Sequence, residues 1–429
     1  MCLTATGAYM TTPTFDEHLH SLWQGFFSTY SSLSIFASKI GERADQFDEE
    51  RIQQMASDLA FALGECREVV LAGLRNYLTS WKDKDTLPDV RNNDEFHDVI
   101  KHINDPSFKQ LLSDWEQKEP QKSDVLMEIL RELFIRPPIS AVYLRQSCLI
   151  ALVSAVEDFI NNLLYAYGVY KDKDNWKQRW NKLDKVITEC FASDPWTSLP
   201  DNEATDLREK YKRWQEGYTE IIQRRNILVH NGGRVDEHYL DQAPKAHQPP
   251  GITAGQIVLV SPSYLQKAFD LSLTLLFTLT QLVWRKGLAI GQTNQNADKM
   301  ASDLIYELLR QKQYALVIEL AELAIKFHLD QSERMLVLVN KGVALRKYGR
   351  KQELKSIISQ LRRSDAWLFQ MAAYILNGEN DAARRIMINN SPNLRRQAKL
   401  SWPLFDFIRE KPWFSSLFGS VNKAVLSPE

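Results

Sequence analysis

Apolar residues that recur three and four positions apart, segment after segment, constrain this chain more than any other feature. Stretches such as FDEHLHSLWQGFFSTYSSL and RIQQMASDLAFALGECREVVLAGL within residues 14–80 carry this spacing, so each presents one apolar stripe when wound as an α-helix. Two or three long helices are expected there. A further apolar helix should run from Ser140 to about Gly168, a charged one over about 205–230, and another apolar one over 264–284. Only QIVLV at 256–260 reads as a strand, between a loop rich in Pro and Gly and a Ser-Pro-Ser start that suits a helix. The expected fold class is all-α, with an N-terminal helical region, a helical bundle carrying a short strand insertion, and C-terminal helical-hairpin repeats.

At roughly 150 residues per domain, a chain of 429 residues holds two or three domains. The composition turns polar around 81–125, and the helix expected at 124–135 stops at Pro137-Pro138, because the residue before a proline is pushed out of the α region. The polar run GQTNQNADK at 291–299 reads as a linker and marks a second boundary, giving domains 1–138, 139–290 and 291–429. Within 301–390, QKQYALVIELAELAI, RKYGRKQELKSIISQL and LNGENDAARRIM each place a turn before an apolar helix. Their turn markers Tyr314, Gly349 and Gly378 lie 35 and 29 residues apart. The spacing loosely resembles the roughly 34-residue period of tetratricopeptide repeats, without their Trp and Pro signature positions in most units, and equally fits a generic α-solenoid. The aromatic tail SWPLFDFIREKPWFSSLF should cap the stack.

Composition excludes several classes. With 44% hydrophobic and 25% charged residues and only 17 Gly and 16 Pro, the chain is neither collagenous nor disordered. Its 53 basic and 54 acidic side chains leave a net charge of −1, so any nucleic-acid contact has to use a local patch. The start, MCLTATGAYMTTPTF, lacks a basic segment followed by an apolar one, so a secretory signal is not expected and a cytoplasmic location is. Cys2, Cys66, Cys148 and Cys190 are far apart and read as free thiols. The apolar stretch 268–284 is interrupted by Asp270, Thr274 and Gln281 and falls short of the ~20 residues of a bilayer crossing, so no membrane is expected. His18 and His20 point to different helix faces with no third ligand nearby, and no phosphate-binding glycine loop, H-E-x-x-H or G-x-S-x-G occurs. Neither a metal nor a cofactor is expected.

The informative segment runs from Arg224 through Arg225, Asn226 and His230 to Asn231-Gly232-Gly233, at a helix end. On a helix Asn226 and His230 share a face, and the long Arg225 side chain can bridge its offset from Asn226. Cleaving RNA without a metal needs a group that exchanges protons near neutral pH and a permanent cation at the phosphate, which histidine and arginine supply. The reaction would be attack of the ribose 2′-hydroxyl on the adjacent phosphate, leaving a cyclic phosphate and a 5′-hydroxyl. Arg224 and Asn231 flank these residues as candidate RNA contacts. Arg208, Lys210, Lys212 and Arg213, interleaved with Tyr211 and Trp214, could grip the backbone and stack a base; the alternative is a solvated face with the aromatic rings turned inward.

The pattern R-N-x-x-x-H resembles the signature of HEPN-domain ribonucleases, and the resemblance covers about 140–288, a third of the chain. Glu157, in SAVEDFINNLL, stands where many members carry an acidic residue. Val235, Asp236, Tyr239 and Leu240, then the short strand and the last apolar helix, follow the signature as in several branches. The resemblance implies catalytic roles for Arg225, Asn226 and His230, with Glu157 either catalytic or a charge partner of Arg225. It also implies a homodimer whose signature helices meet in one composite site. Members controlled by a nucleotidyltransferase often carry a tyrosine two residues after the histidine, where this chain has Gly232. The function expected is a toxin or antiviral-defence endoribonuclease acting on RNA, with a protein partner or trigger on the repeats. The alternative is a non-catalytic scaffold that dimerises and binds a partner protein.

Overall fold

The computed structural model describes residues 14–63, 140–171, 173–192, 201–287, 294–327, 329–396 and 401–418, with isolated positions between 72 and 124. Among these residues the chain is all-α, with thirteen α-helices and no regular strand. They are α1 (Phe15–Leu63), α2 (Ser140–Ala166), α3 (Trp176–Phe191), α4 (Asp201–His230), α5 (Glu237–Gln242), α6 (Pro262–Gly287), α7 (Gln295–Arg310) and α8 (Tyr314–Lys326). There follow α9 (Gln331–Tyr348), α10 (Lys351–Arg362), α11 (Trp367–Asn377), α12 (Asn380–Arg396), a 3₁₀ turn at Pro403–Phe407, and α13 (Pro412–Phe418). The apolar periodicity from Phe15 onward belongs to a single helix of 49 residues. The helix expected over 124–135 and the Pro137-Pro138 break lie, Asp124 apart, outside the described residues.

Two compact units replace the three consecutive domains expected. One comprises Leu22–Lys173 and Thr205–Phe277, the other Met1–Ser21, Asp174–Ala204 and Thr278–Glu429. In the first unit α1 and α2 share a core, so 138 is not a unit boundary. Asp48 of α1 is fully buried and accepts hydrogen bonds from the Ser140 and Ala141 amides at 3.1 and 3.2 Å, satisfying donors that the start of α2 leaves free. Trp23, Phe26 and Tyr30 of α1 meet Phe159 of α2 and Phe269 and Phe277 of α6, with ring centroids 5.2 to 6.4 Å apart. Aromatic rings bury large apolar areas, and these contacts join helices that are more than a hundred residues apart in the chain.

QIVLV is extended but forms only an isolated antiparallel bridge, Arg234 to Ile257, instead of the expected strand. The Val235 amide donates to Gln256 O at 2.8 Å and the Val258 amide to Gly233 O at 2.9 Å. Beyond that point no second strand is present among the described residues. The carbonyls of Leu259 and Val260 instead accept from the buried guanidinium groups of Arg224 and Arg145, each at 3.0 Å. Two arginine side chains thus stand in for a neighbouring strand, since buried carbonyls must be paired. Gly233 sits where this segment crosses the end of α4. Its φ is +80°, and a Cβ there would lie 2.9 Å from Val258 O, so only glycine fits.

In the second unit α7–α8, α9–α10 and α11–α12 pair as three successive hairpins, α9 also packing on α7 and α11. The tail closes on them, as Trp402 donates to Asn340 Oδ1 at 2.8 Å and Phe405 and Phe414 are buried. The run 291–299 is not the expected linker where it is described, because α7 begins at Gln295. Its polar residues are tie points. Asp298, nearly fully buried, forms an ion pair with Arg285 at 2.5 Å, Gln281 donates to Ala297 O at 3.0 Å, and both Trp284 and Asn296 donate to Asp16.

One described helix, α2, is long and apolar enough to cross a membrane by length and composition; half of its apolar window is buried inside the protein. Cys148 and Cys190 are free and buried, while Cys2 and Cys66 lie outside the described residues. Burial raises the Cys148 thiol and pushes Cys190 up to about 12, so neither forms the reactive thiolate near neutrality. In the native chain at about pH 8 both are therefore expected to resist iodoacetamide and to label only on unfolding. Peptide mass spectrometry checks this, and rapid native labelling of both would contradict the packing.

Candidate functional site

The site is built on the last turns of α4 where they face α2. The helix closes at Asn231, whose amide donates to Ile227 O at 2.9 Å, as does that of Gly233, and the chain then turns into the bridge. Arg225 projects onto α2 and forms an ion pair with Glu157, a residue 68 positions earlier in the chain. Both side chains are mostly shielded, at 19% and 26% exposure, so the pair is less screened by solvent than a surface pair. Tyr218 lies two turns before Arg225 on the same side of α4. Burial, with Glu157 adding to it and Arg225 opposing it, drives its hydroxyl far above the usual tyrosine range, and it stays protonated. Arg225 Nε is buried and has no acceptor among the described residues.

Asn226 is half-buried and His230, the last residue of α4, is exposed. One turn separates them, about 6 Å along the axis and about 40° around it. Arg225 and His230 are about 140° apart on the same helix, so within one copy the arginine faces α2 while the imidazole faces solvent. Val229 beside them is 48% exposed, an apolar side chain left open next to a polar face.

The candidate RNA contacts separate into two groups. Arg224 is corrected outright. It is 1% exposed, pairs with Glu220 at 2.9 Å, and lies 3.6 Å from the centre of the Tyr264 ring, so it cannot reach a nucleic acid. The hydroxyls of Tyr239 and Tyr264 both donate to Glu220 at 2.7 Å, and burial holds both well above their ordinary range. Asn231 is exposed, but its amide donates at 2.6 Å to Asp236, whose other oxygen caps α5 through the Tyr239 amide, so it ties the turn together.

Arg208, Lys212 and Arg213 are exposed, whereas Tyr211 is buried and Trp214 half-buried, so Tyr211 is turned inward and offers no ring to a base. Lys212 lies five whole turns before His230, on the same side of α4 and about 27 Å along it. Among the described residues no group of three or more His, Cys, Asp or Glu side chains is placed so that it could hold a metal ion.

Sequence reasoning missed Glu220, Tyr218 and Tyr264. The first had a local signal, since Glu220 and Arg224 are four apart; the tyrosines had none. Compared with known proteins, the chain matches no family model, no curated protein and no solved structure.

Proposed function

We propose that the chain is a metal-independent endoribonuclease of HEPN type, acting as a homodimer in the cytoplasm on RNA. The observation that carries this reading is the arrangement of Arg225, Asn226 and His230 on the last turns of α4, with Arg225 held by Glu157 and His230 exposed. A shielded carboxylate orients the guanidinium, and the free imidazole can take a proton from a 2′-hydroxyl and return one to the leaving 5′-oxygen. The bond formed joins the 2′-oxygen to phosphorus, and the bond broken is phosphorus to the 5′-oxygen. Because Arg225 and His230 diverge around α4, two copies meeting at this helix end assemble cation and acid–base group more readily than one. The exposed Val229 suits such a meeting. The biological role proposed is a toxin or antiviral-defence effector, triggered through a partner on the helical hairpins.

One observation favours the second reading, a non-catalytic scaffold that dimerises and binds a partner protein. A half-buried Glu157–Arg225 pair also serves as a structural tie between α2 and α4. Incubation of the purified chain with total cellular RNA in excess chelator separates the two. Fragments ending in 2′,3′-cyclic phosphate and 5′-hydroxyl are expected. Absence of cleavage favours the scaffold, and cleavage that needs Mg²⁺ and leaves 5′-phosphates overturns the mechanism.

A further inference from the structure

The hairpin unit carries a strongly one-sided charge that the cleavage reading does not use. From Arg346 to Arg396 there are eleven Lys or Arg against four Asp or Glu, in a chain whose overall charge is −1. Part of this excess is displayed on α10 and its C-cap. Lys351, Lys355, Ser359 and Arg363 recur every fourth residue on its outer side and all are exposed, a row of about 18 Å. A cleft lies along this row, lined by Lys355, Ile358, Ser359, Arg362, Arg363 and, from the end of α11, Asn377.

Neutralisation of the row is slight. Among the described residues Lys351, Lys355 and Arg363 have no acidic partner, and Glu379 engages only Arg362 and Asn377. Tyr348, just before the turn into α10, is 59% exposed.

We propose that this face of α10, with its cleft, is a second binding site that takes the phosphate backbone of single-stranded nucleic acid. A regularly spaced row of cations faces a regularly spaced row of phosphates. The hydroxyl of Ser359 and the amide of Asn377 can donate to phosphate oxygens, and the Tyr348 ring offers a platform for one base. An acidic protein segment would satisfy the cations but would leave the tyrosine platform without use. The site requires binding of a strand, not its scission, so it stands apart from whether His230 cleaves.

The test uses the full chain and a fluorescein-labelled 2′-O-methyl RNA of about 20 nucleotides, which 2′-hydroxyl attack cannot cut. Anisotropy is followed from about 50 to 200 mM salt. The double variant Lys355→Ala with Arg363→Ala is expected to bind at least about tenfold more weakly at about 100 mM salt. Its slope of log affinity against log salt should be shallower by about 1.4, the value for two lost phosphate contacts on a single strand. Tyr348→Ala should lose at least about fivefold with the slope unchanged. Glu379→Gln, which releases Arg362, should bind more tightly, a gain that a folding defect does not produce. If the double variant keeps the parent affinity and slope, or if polyglutamate binds as tightly as the RNA and displaces it, the proposal fails.

Discussion

His230→Ala is expected to lower RNA cleavage by ~10²–10⁴-fold, the contribution of a positioned acid–base group, while leaving helix content, melting temperature and oligomeric state as they are. The imidazole is the last side chain of α4 and is exposed, so its removal opens no cavity and strands no buried partner. This makes it a cleaner probe than Arg225→Ala, which would leave Glu157 as an unpaired, mostly shielded carboxylate and confuse a structural loss with a catalytic one. Gel-based cleavage of a defined RNA, with circular dichroism and size exclusion on the same preparations, decides the matter. Parent-level cleavage by folded His230→Ala would remove the histidine from the chemistry and with it the proposed mechanism.

What was legible in the sequence, and what was not, follows from the range of the forces involved. Helices are local, and periods of three and four marked α2, α4 and α6 nearly to their ends. The hairpins α7–α8, α9–α10 and α11–α12 were legible for the same reason, their turns falling beside Tyr314, Gly349 and Gly378. Unit boundaries are not local. Residues 291–299 looked like a linker because they are polar, yet Asn296 reaches Asp16 across 280 positions and Asp298 neutralises the buried Arg285. The domain boundary placed at 138 fails in the same way, because the residue that caps α2 is Asp48, 92 positions away from Ser140 and in the same unit.

At the candidate site, the resemblance carried by R-N-x-x-x-H singled out Arg225, Asn226 and His230, and through it Glu157 is named as a possible partner of the arginine that it meets. Arg224 was misassigned because one residue along a helix turns about 100°, and a local pattern does not say which of two adjacent arginines points into the core.

That buried arginine is the basis of the second large effect. Glu220→Ala is expected to destabilise the chain by ~3–5 kcal/mol, the cost of removing one partner from a buried ion pair. Glu220 and Arg224 have side-chain exposures of 3% and 1%, and the carboxylate also accepts from the Tyr239 and Tyr264 hydroxyls at 2.7 Å. Its loss therefore leaves a charge and two hydroxyls without their acceptor in a buried core. Arg224 still donates to Leu259 O at 3.0 Å and stacks on Tyr264, but neither contact neutralises it.

Replacing both partners with apolar side chains of similar volume, Glu220→Leu with Arg224→Met, should recover the part of the loss that the stranded charge causes, because it removes that charge rather than creating one. The residual cost should be that of three groups left without partners, the Leu259 carbonyl and the Tyr239 and Tyr264 hydroxyls, each worth about 1–3 kcal/mol at most where it stays buried and unpaired. Urea denaturation of the parent and the two variants measures both numbers. A single variant as stable as the parent, or a double variant less stable than the single, would mean that the Glu220–Arg224 pair does not hold α4 against the extended segment.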